Sequence, residues 1–506
     1  MSERKPFYMT TTLPYVNGKP HLGHVLEFVQ ADVLVRLARS RGDEVVFNIG
    51  TDEHGQKILE KAAEEGITPQ TYCDRMSEYF RAVKETLDIS YTHFIRTTDA
   101  HHIAAAQTFW KRCEAAGDIY KKQYQTKYCV GCELEKTDSD LDHGKCLDHP
   151  NMTIELVDEE NYFFRFSKYQ DALLALYDKR PEFVVPANRL SEIRNFVAGG
   201  PARNASRSDA GGLQDFSISR LKSKMSWGIP VPGDEEHVMY VWFDALVNYI
   251  SALNWPEDEE NFRKFWPGLQ IAGKDNLRQQ SAMWAAMLLS AGLEPSRQIL
   301  IHGHIMVAGK KMSKSLGNVI SPDELIERFG KDGTRYLLLS AGNLENDPDI
   351  TMERLTEKYN AELANGLGNL ISRVLKLSEK LVDVIPSESA SRGIPDDEEK
   401  RSLHYGRDDK AGAFPEELAK ILDEYRFADA MEYVIGLVRT ANKYIDDEKP
   451  WVLVKEDAER FETVMRKLLA SLADISAALA PLLPETSTKI ANALEEGKTE
   501  PIFKRV

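Results

Sequence analysis

The chain has no apolar run approaching the ~18 residues that a membrane-spanning helix needs, so it is not a membrane-embedded protein of the helical kind. The first residues, MSERKPFYMTTTLPYVNG, lack a basic stretch followed by an apolar core, which excludes a secretory signal. Motif-dense sequence begins within about a dozen residues, leaving little room for a transit peptide. Cysteine is scarce: five in 506 residues, an odd number that suggests no disulfide framework and predicts a reducing, cytoplasmic setting. Positive charge is in deficit, with 64 Lys and Arg against 80 Asp and Glu and a net charge of −16. That argues against nucleic acid bound over the whole surface but leaves room for a local basic face. No internal repeat is visible. What remains is ordinary for a soluble enzyme, 42% hydrophobic and 28% charged, and too apolar for a disordered chain. At this length about three domains are expected, because single cores stop growing near 250–300 residues.

Residues 6–50 alternate strand and helix signals. Phe7 to Thr12 is β-prone and ends at Leu13-Pro14, and Asn17-Gly18 has turn chemistry. HLGHVLEFVQADVLVRLARSRG has helical spacing through Val25, Phe28, Val33, Leu34 and Leu37, stopped by Gly42. Glu44 to Gly50 follows as a buried-strand candidate. Strand, Gly-containing turn, helix and strand predict a parallel sheet. Residues 58–118 read as helical. Residues 119–230 break the pattern with three cysteines, a nearby histidine and the Gly/Ser/Ala-rich stretch 199–212, and predict an inserted domain with a flexible loop. The strand–helix pattern is expected to return at Val238 to Phe243 and at Gln298 to Ile301. From about 351, segments 354–384, 415–445 and 458–493 have helical periodicity and predict an α-helical bundle, interrupted by a polar, mobile segment at 386–412.

Three constellations carry chemistry. In the first, His21-Leu22-Gly23-His24 falls between a strand and a helix. Unpaired N–H groups and a positive dipole at a helix start suit phosphate, Gly23 permits close approach, and two imidazoles flank it. So short a string could equally cap a helix. Downstream, Lys310-Lys311-Met312-Ser313-Lys314-Ser315 offers compact positive charge on a loop that can close over a phosphate chain, or a solvated charged turn if it stands alone. In the second, Cys129-Val130-Gly131-Cys132 and Cys146-Leu147-Asp148-His149 form two tight pairs thirteen residues apart. Three thiolates and an imidazole at that spacing predict a closed, structural Zn²⁺ site, whereas Cys73 and Cys113 read as packed thiols. In the third, Asn365, Asn369 and Arg373 recur every fourth residue, one stripe on a helix, and Trp451 follows Lys449-Pro450. Amides, a guanidinium and an indole can read and stack unpaired bases, although a solvated face and a packed Trp would be the plainer account.

His-Leu-Gly-His with Lys-Met-Ser-Lys-Ser resembles the two signatures of class I aminoacyl-tRNA synthetases. Thr11 to Gly18, the run Gly50-Thr51-Asp52-Glu53-His54-Gly55, Tyr240 to Leu246, the knuckle, ANGLGNLISR and EKPW resemble the methionyl family, along almost the whole chain. The resemblance implies a doubly wound, Rossmann-like α/β catalytic domain divided as 1–118 and 231–325 around an inserted zinc-knuckle domain at 119–230. A linking segment at 326–350 and an α-helical bundle anticodon-binding domain at 351–506 would follow. It implies that His21, His24, Lys311 and Lys314 act at the α-phosphate, with Gly23, Gly273 and Asp275 at ATP. Leu13, Tyr15, Trp242, Ala245, Leu246 and Tyr249 would line a methionine pocket, Tyr249 donating to sulfur and Asp52 meeting the ammonium. Asn365, Asn369, Arg373 and Trp451 would recognise CAU. The implied reaction joins L-methionine to tRNA(Met) through an adenylate, with Mg²⁺ accompanying ATP.

One departure stands out. The family commonly shows Phe-His shortly after Gly-Lys-Asp, whereas this chain reads Gln279-Gln280. Gln280 is expected to preserve a hydrogen bond to a differently shaped pocket wall. A nucleotidyltransferase without a nucleic-acid partner, an inactive RNA-binding paralogue, and a synthetase for cysteine or an aliphatic amino acid are the alternatives. With no oligonucleotide-binding domain appended before Val506, a monomer is expected.

Overall fold

The computed structural model describes all residues except 1–3, 133, 137–140, 143, 148, 200–211, 313–318, 382–411 and 498–499. The expected flexible loop at 199–212 and the polar segment at 386–412 therefore lie almost wholly outside the described residues. The chain forms two compact units, one of Met1–Ala31, Ala38–Lys84 and Ser90–Gly303, the other of Asp32–Leu37, Glu85–Ile89 and His304–Val506.

The first unit is built on six parallel strands: β1 (Pro6–Thr11), β2 (Glu44–Thr51), β3 (His93–Arg96), β4 (Val184–Val185), β5 (Leu269–Gly273) and β6 (Gln298–His302). Their order is β3-β2-β1-β5-β6-β4. From β1 the chain winds outward through β2 and β3, and from β5 through β6, so the topological switch lies between β1 and β5. In such sheets ligands bind beyond the carboxyl ends of the strands at that point. Helix α1 (Leu22–Ser40) leaves the carboxyl end of β1. It buries Leu22, Val25, Leu26, Phe28, Val29 and Ala31, too many sides for a surface helix, and so serves as a core element. Aromatic side chains knit the rest of the core: Phe109 lies 5.5 Å from Trp284, 5.8 Å from Phe243 and 6.0 Å from Trp255.

A long antiparallel ribbon, Ile119–Cys129 against Ile154–Phe164, projects the knuckle sequence at its tip, with Cys129 opposite Ile154. The second unit is mainly helical, and its elements include Pro322–Leu339, Met352–Lys358 running on through a wide-turned stretch Tyr359–Gly368 into Asn369–Ser378, Phe427–Glu448, Ala458–Leu479 and Pro484–Glu496. Arg335, wholly buried, pairs with Asp32 at 2.9 Å and donates to the carbonyls of Leu482 and Leu87.

Four expectations are corrected. The segment 415–445 is two helices, Glu416–Asp423 and Phe427–Glu448, separated at Tyr425, which is left-handed at φ 60°. The span 58–118 is not all helix, because β3 runs through it. Val238 to Phe243 is not a strand of the resumed sheet: Asp234–Met239 pairs antiparallel in a separate three-stranded sheet, Val241–Leu246 is helical, and the strand of the parallel sheet that follows β4 is β5. A short buried apolar run carries no periodicity to tell strand from helix. The segment 458–493 is two helices, broken between Leu479 and Pro484, where the prolines at 481 and 484 remove amide donors.

Candidate nucleotide and amino-acid site

The carboxyl ends of β1, β5 and β6 meet α1 through one buried carboxylate. Glu27 accepts from the Thr12 amide and hydroxyl, both at 2.6 Å, and its other oxygen lies 3.2 Å from His302 Nε2. His302 is in register with Gly273 across the β5–β6 pair. Asp275 follows Gly273 in an exposed single turn, Lys274–Asn276.

At the start of α1 the imidazoles of His21 and His24 stack, centroids 3.5 Å apart. His24 Nδ1 accepts from the His21 amide at 3.4 Å, and His21 Nδ1 accepts from the His24 amide at 3.3 Å. A ring that accepts at Nδ1 carries its proton at Nε2, so both rings present N–H donors away from the backbone. Burial, with His21 and His302 nearby, holds His24 well below the usual imidazole range and therefore neutral. Gly23 lets the ring lie close: a Cβ there would stand 3.0 Å from the His21 ring, which would have to shift to admit it.

Tyr15 and Asp52 face each other across a parallel bridge, with the Asp52 amide donating to the Pro14 carbonyl at 2.9 Å. Asp52 is buried and its Oδ1 has no partner among the described residues. Burial pushes this carboxyl well above the ordinary 3.8, and the neighbouring Asp244 and Glu53 push it further. An unpartnered buried acceptor is costly, and a cationic ligand group would relieve it. Two neighbouring carboxylates, by contrast, are well partnered. Glu53 takes Arg96 through two nitrogens at 2.7 and 2.9 Å and the hydroxyls of Thr51 and Thr98, each at 2.6 Å. Asp244, wholly buried, is bridged by His54 at 2.6 Å and His102 at 2.8 Å, and His102 reaches Ser251 at 2.9 Å. Burial alone would raise the Asp244 carboxyl; the two imidazoles outweigh it and hold it low.

Ala245, Leu246 and Tyr249 are buried on the short helices Val241–Leu246 and Asn248–Ser251, while Leu13, Tyr15 and Trp242 are half-buried. Gln280 Nε2 donates to the Tyr249 hydroxyl oxygen at 2.6 Å, a direct contact between two positions 31 residues apart.

At the knuckle, Cys132 Sγ lies 3.2 Å from Cys146 Sγ and 3.1 Å from His149 Nδ1, and Cys129 Sγ lies 4.0 Å from the same nitrogen. All four donor atoms fall within 4.8 Å of one another, a cluster that could hold a metal ion. Gly131 makes room for it: a Cβ there would meet the His149 ring at 2.6 Å.

The remaining sequence-derived residues belong to the second unit. Lys311 ends a two-residue strand, Lys310–Lys311, paired with Met306–Val307. Lys314 lies outside the described residues. Asn365 and Asn369 are exposed, and Asn365 Oδ1 accepts from Arg505 at 2.7 Å. Arg373 pairs with Asp446 at 2.7 Å and lies 5.7 Å from the Trp451 ring, itself 42% exposed. Lys449, left-handed at φ 50°, turns the chain into the helix Pro450–Glu456 that presents this indole.

The sequence reading assigned nothing to Glu27, His302, Asp244 or His102. His54 and Asp244 stood within quoted motifs, and Glu27 lies one turn beyond the His-x-Gly-His string; only their partners, far away in sequence, mark them out.

Comparison with known proteins now adds its weight. Residues 7–153 and 137–375 match the family "tRNA synthetases class I (M)", and residues 412–503 match "Anticodon binding domain of methionyl tRNA ligase". The chain is 40% identical to the methionine–tRNA ligase of Caldanaerobacter subterraneus subsp. tengcongensis over 97% of its own length and 74% of that protein. It is 41% identical to that of Synechocystis sp. over 96% and 89% respectively. Its structure matches Mycobacterium tuberculosis methionyl-tRNA synthetase in complex with methionyl-adenylate, with TM-score 0.84, 36% identity, and coverage of 96% of this chain and 93% of that one. With family models matched over more than half of its length and relatives at 40–41% identity along almost all of it, the chain belongs to the methionine branch of the class I aminoacyl-tRNA synthetases.

Proposed function

We propose that the chain joins L-methionine to tRNA(Met). A methionine carboxylate oxygen attacks the α-phosphorus of ATP, the bond to the bridging oxygen breaks, and pyrophosphate departs. A ribose hydroxyl at the tRNA 3′ end then attacks the acyl carbon, and AMP leaves. No protein nucleophile is needed; the work is positioning and charge stabilisation. The Nε2–H groups of His21 and His24 donate to phosphoryl oxygens, Gly23 admits the phosphate to the helix N-terminus, and Lys311 and Lys314 supply compact positive charge. Gly273 and Asp275 serve the ribose side of ATP, which enters as its Mg²⁺ complex. Asp52 takes the substrate ammonium, and Leu13, Tyr15, Trp242, Ala245, Leu246 and Tyr249 enclose the thioether, with Gln280 behind.

The knuckle residues Cys129, Cys132, Cys146 and His149 would hold Zn²⁺; three soft thiolates and one imidazole with no fifth donor suit a closed structural site. Its contribution there is folding energy for the ribbon tip. Asn365, Asn369, Arg373 and Trp451 read the CAU anticodon, the indole stacking an unpaired base. The catalytic half divides as 1–118 and 231–325 around 119–230, a segment that also lends it the edge strand β4, with 326–350 linking it to 351–506. We read the protein as a cytoplasmic monomer; light scattering that gave a dimer mass would remove the second part.

The observation that carries this reading is the buried carboxylate of Asp52 beside Tyr15, one of whose oxygens has no partner among the described residues, in a sheet whose switch point lies beside the strand that leads to His21 and His24. Pyrophosphate exchange with each of the twenty amino acids tests it. Methionine alone should drive exchange, and exchange driven equally by cysteine or leucine would refute it.

A further inference from the structure

Gln280 sits in a one-turn widening of its helix, Gln279–Met283, of the kind that gathers at functional sites. Its side chain has a single hydrogen bond, from Nε2 to the Tyr249 oxygen at 2.6 Å, while its Oε1 is buried without a partner among the described residues. Gln280 and Tyr249 are each only 2% exposed. Tyr249 is fixed on other sides as well. Its carbonyl accepts from the Tyr8 hydroxyl at 2.9 Å, and its ring stands edge-on to Trp284 at 5.9 Å. Burial keeps the phenol far above its ordinary range, so it remains protonated at any working pH. A hydroxyl has one proton to give, and here its oxygen already accepts from an amide.

We propose that Gln280 is a positioning residue for side-chain specificity: by donating to the Tyr249 oxygen it turns the Tyr249 proton toward the substrate thioether, so that the pocket separates sulfur from a methylene of the same size. The inference rests on the reading that Tyr249 faces the methionine side chain. Size alone separates the two poorly, because methionine and norleucine differ by little else than an acceptor. Donation to that acceptor is a directional criterion that a hydrophobic wall does not supply. A carboxamide does not titrate, so discrimination set this way is flat with pH, whereas an imidazole at this position changes charge between about pH 5 and 8.

The test compares kcat/KM for methionine and for norleucine in pyrophosphate exchange. Because both substrates meet the same active fraction, partial misfolding of a variant cancels in their ratio. Gln280→Ala should lower the methionine/norleucine ratio roughly three- to ten-fold, the range one neutral hydrogen bond commands, through methionine KM more than kcat. Gln280→His should restore the ratio at alkaline pH and give it a pH dependence that the unsubstituted protein lacks. Tyr249→Phe should lower the ratio by a similar factor, and adding Gln280→Ala to it should change nothing further. An unchanged ratio in Gln280→Ala beside a reduced one in Tyr249→Phe overturns the proposal and leaves the pocket intact. An undiminished effect of Gln280→Ala in the Tyr249→Phe background overturns it as well. An unchanged ratio in Tyr249→Phe overturns both the proposal and the pocket reading beneath it.

Discussion

Asp52 offers a test in which stability and function move in opposite directions. Its carboxylate is buried, one oxygen lacks a partner among the described residues, and its proton affinity is raised by burial and by Asp244 and Glu53. A carboxyl whose folded pKa exceeds its unfolded value keeps the proton more tightly when folded. Ionisation therefore costs stability as pH rises from about 4 through the folded value, and above that value the free protein carries the whole cost. Asp52→Asn removes that charge and keeps the shape. The ligand-free variant should gain about 1–2 kcal/mol, a rise of a few degrees in the transition of the unit that holds it. It should also lose the slope of stability with pH that this group contributes. Methionine binding should go the other way. Leaving the substrate ammonium without its buried counter-charge costs about 2–5 kcal/mol, or roughly 30- to 5,000-fold in methionine KM. The assay is thermal unfolding with and without methionine, beside pyrophosphate exchange. Methionine at 100 times the parent's Kd should stabilise the unsubstituted protein by about 2.7 kcal/mol and the variant, at the same concentration, by less than about 1 kcal/mol. A variant that binds methionine as tightly as its parent refutes the ammonium assignment, and one less stable without ligand refutes the claim of an uncompensated buried charge.

Four other outcomes follow from the same geometry. Glu27→Gln keeps the volume but weakens the junction of Thr12, α1 and His302; kcat/KM for ATP should fall roughly ten- to hundred-fold, as for other supporting hydrogen-bond partners of a reacting site, and an unaltered value would show that the junction is only structural. Elemental analysis should find one zinc per chain, lost in Cys132→Ser together with protection of the ribbon tip from proteolysis; a metal-free, protease-resistant parent would contradict the site. Trp451→Ala should raise the KM for tRNA by the equivalent of about 1–3 kcal/mol while pyrophosphate exchange, which needs no tRNA, stays unchanged. Removing Asp32 alone by Asp32→Asn should cost about 3–5 kcal/mol in equilibrium unfolding because Arg335 is left buried without its counter-charge; a loss below about 1 kcal/mol would show that the pair is dispensable to the second unit.

Much was determined by local sequence. The strand–turn–helix–strand opening is written in period and punctuation: β-branched Thr10 and Thr11, the turn at Asn17-Gly18, and the helical spacing after His21. The knuckle is equally legible, because its four clustered side chains come as two tight pairs and metal geometry depends on such spacing. Helix positions in the second unit follow from periodicity, except where the left-handed Tyr425 divides 415–445 and where Pro481 and Pro484 break the last span. The tertiary structure decided what depends on distant partners. Tyr240 to Phe243 is an apolar run that suits either conformation, and its helix is set by what packs around Phe243. Glu27 is an unremarkable acid in a helix until Thr12 and His302 arrive on its two oxygens. Asp52 becomes unusual only when burial strips its water and Asp244 and Glu53 crowd it. Gln280 looked like the loss of an imidazole; only the fold shows that its amide reaches the Tyr249 oxygen. Periodicity and spacing are properties of neighbours along the chain, while desolvation and hydrogen-bond complementarity belong to neighbours in space.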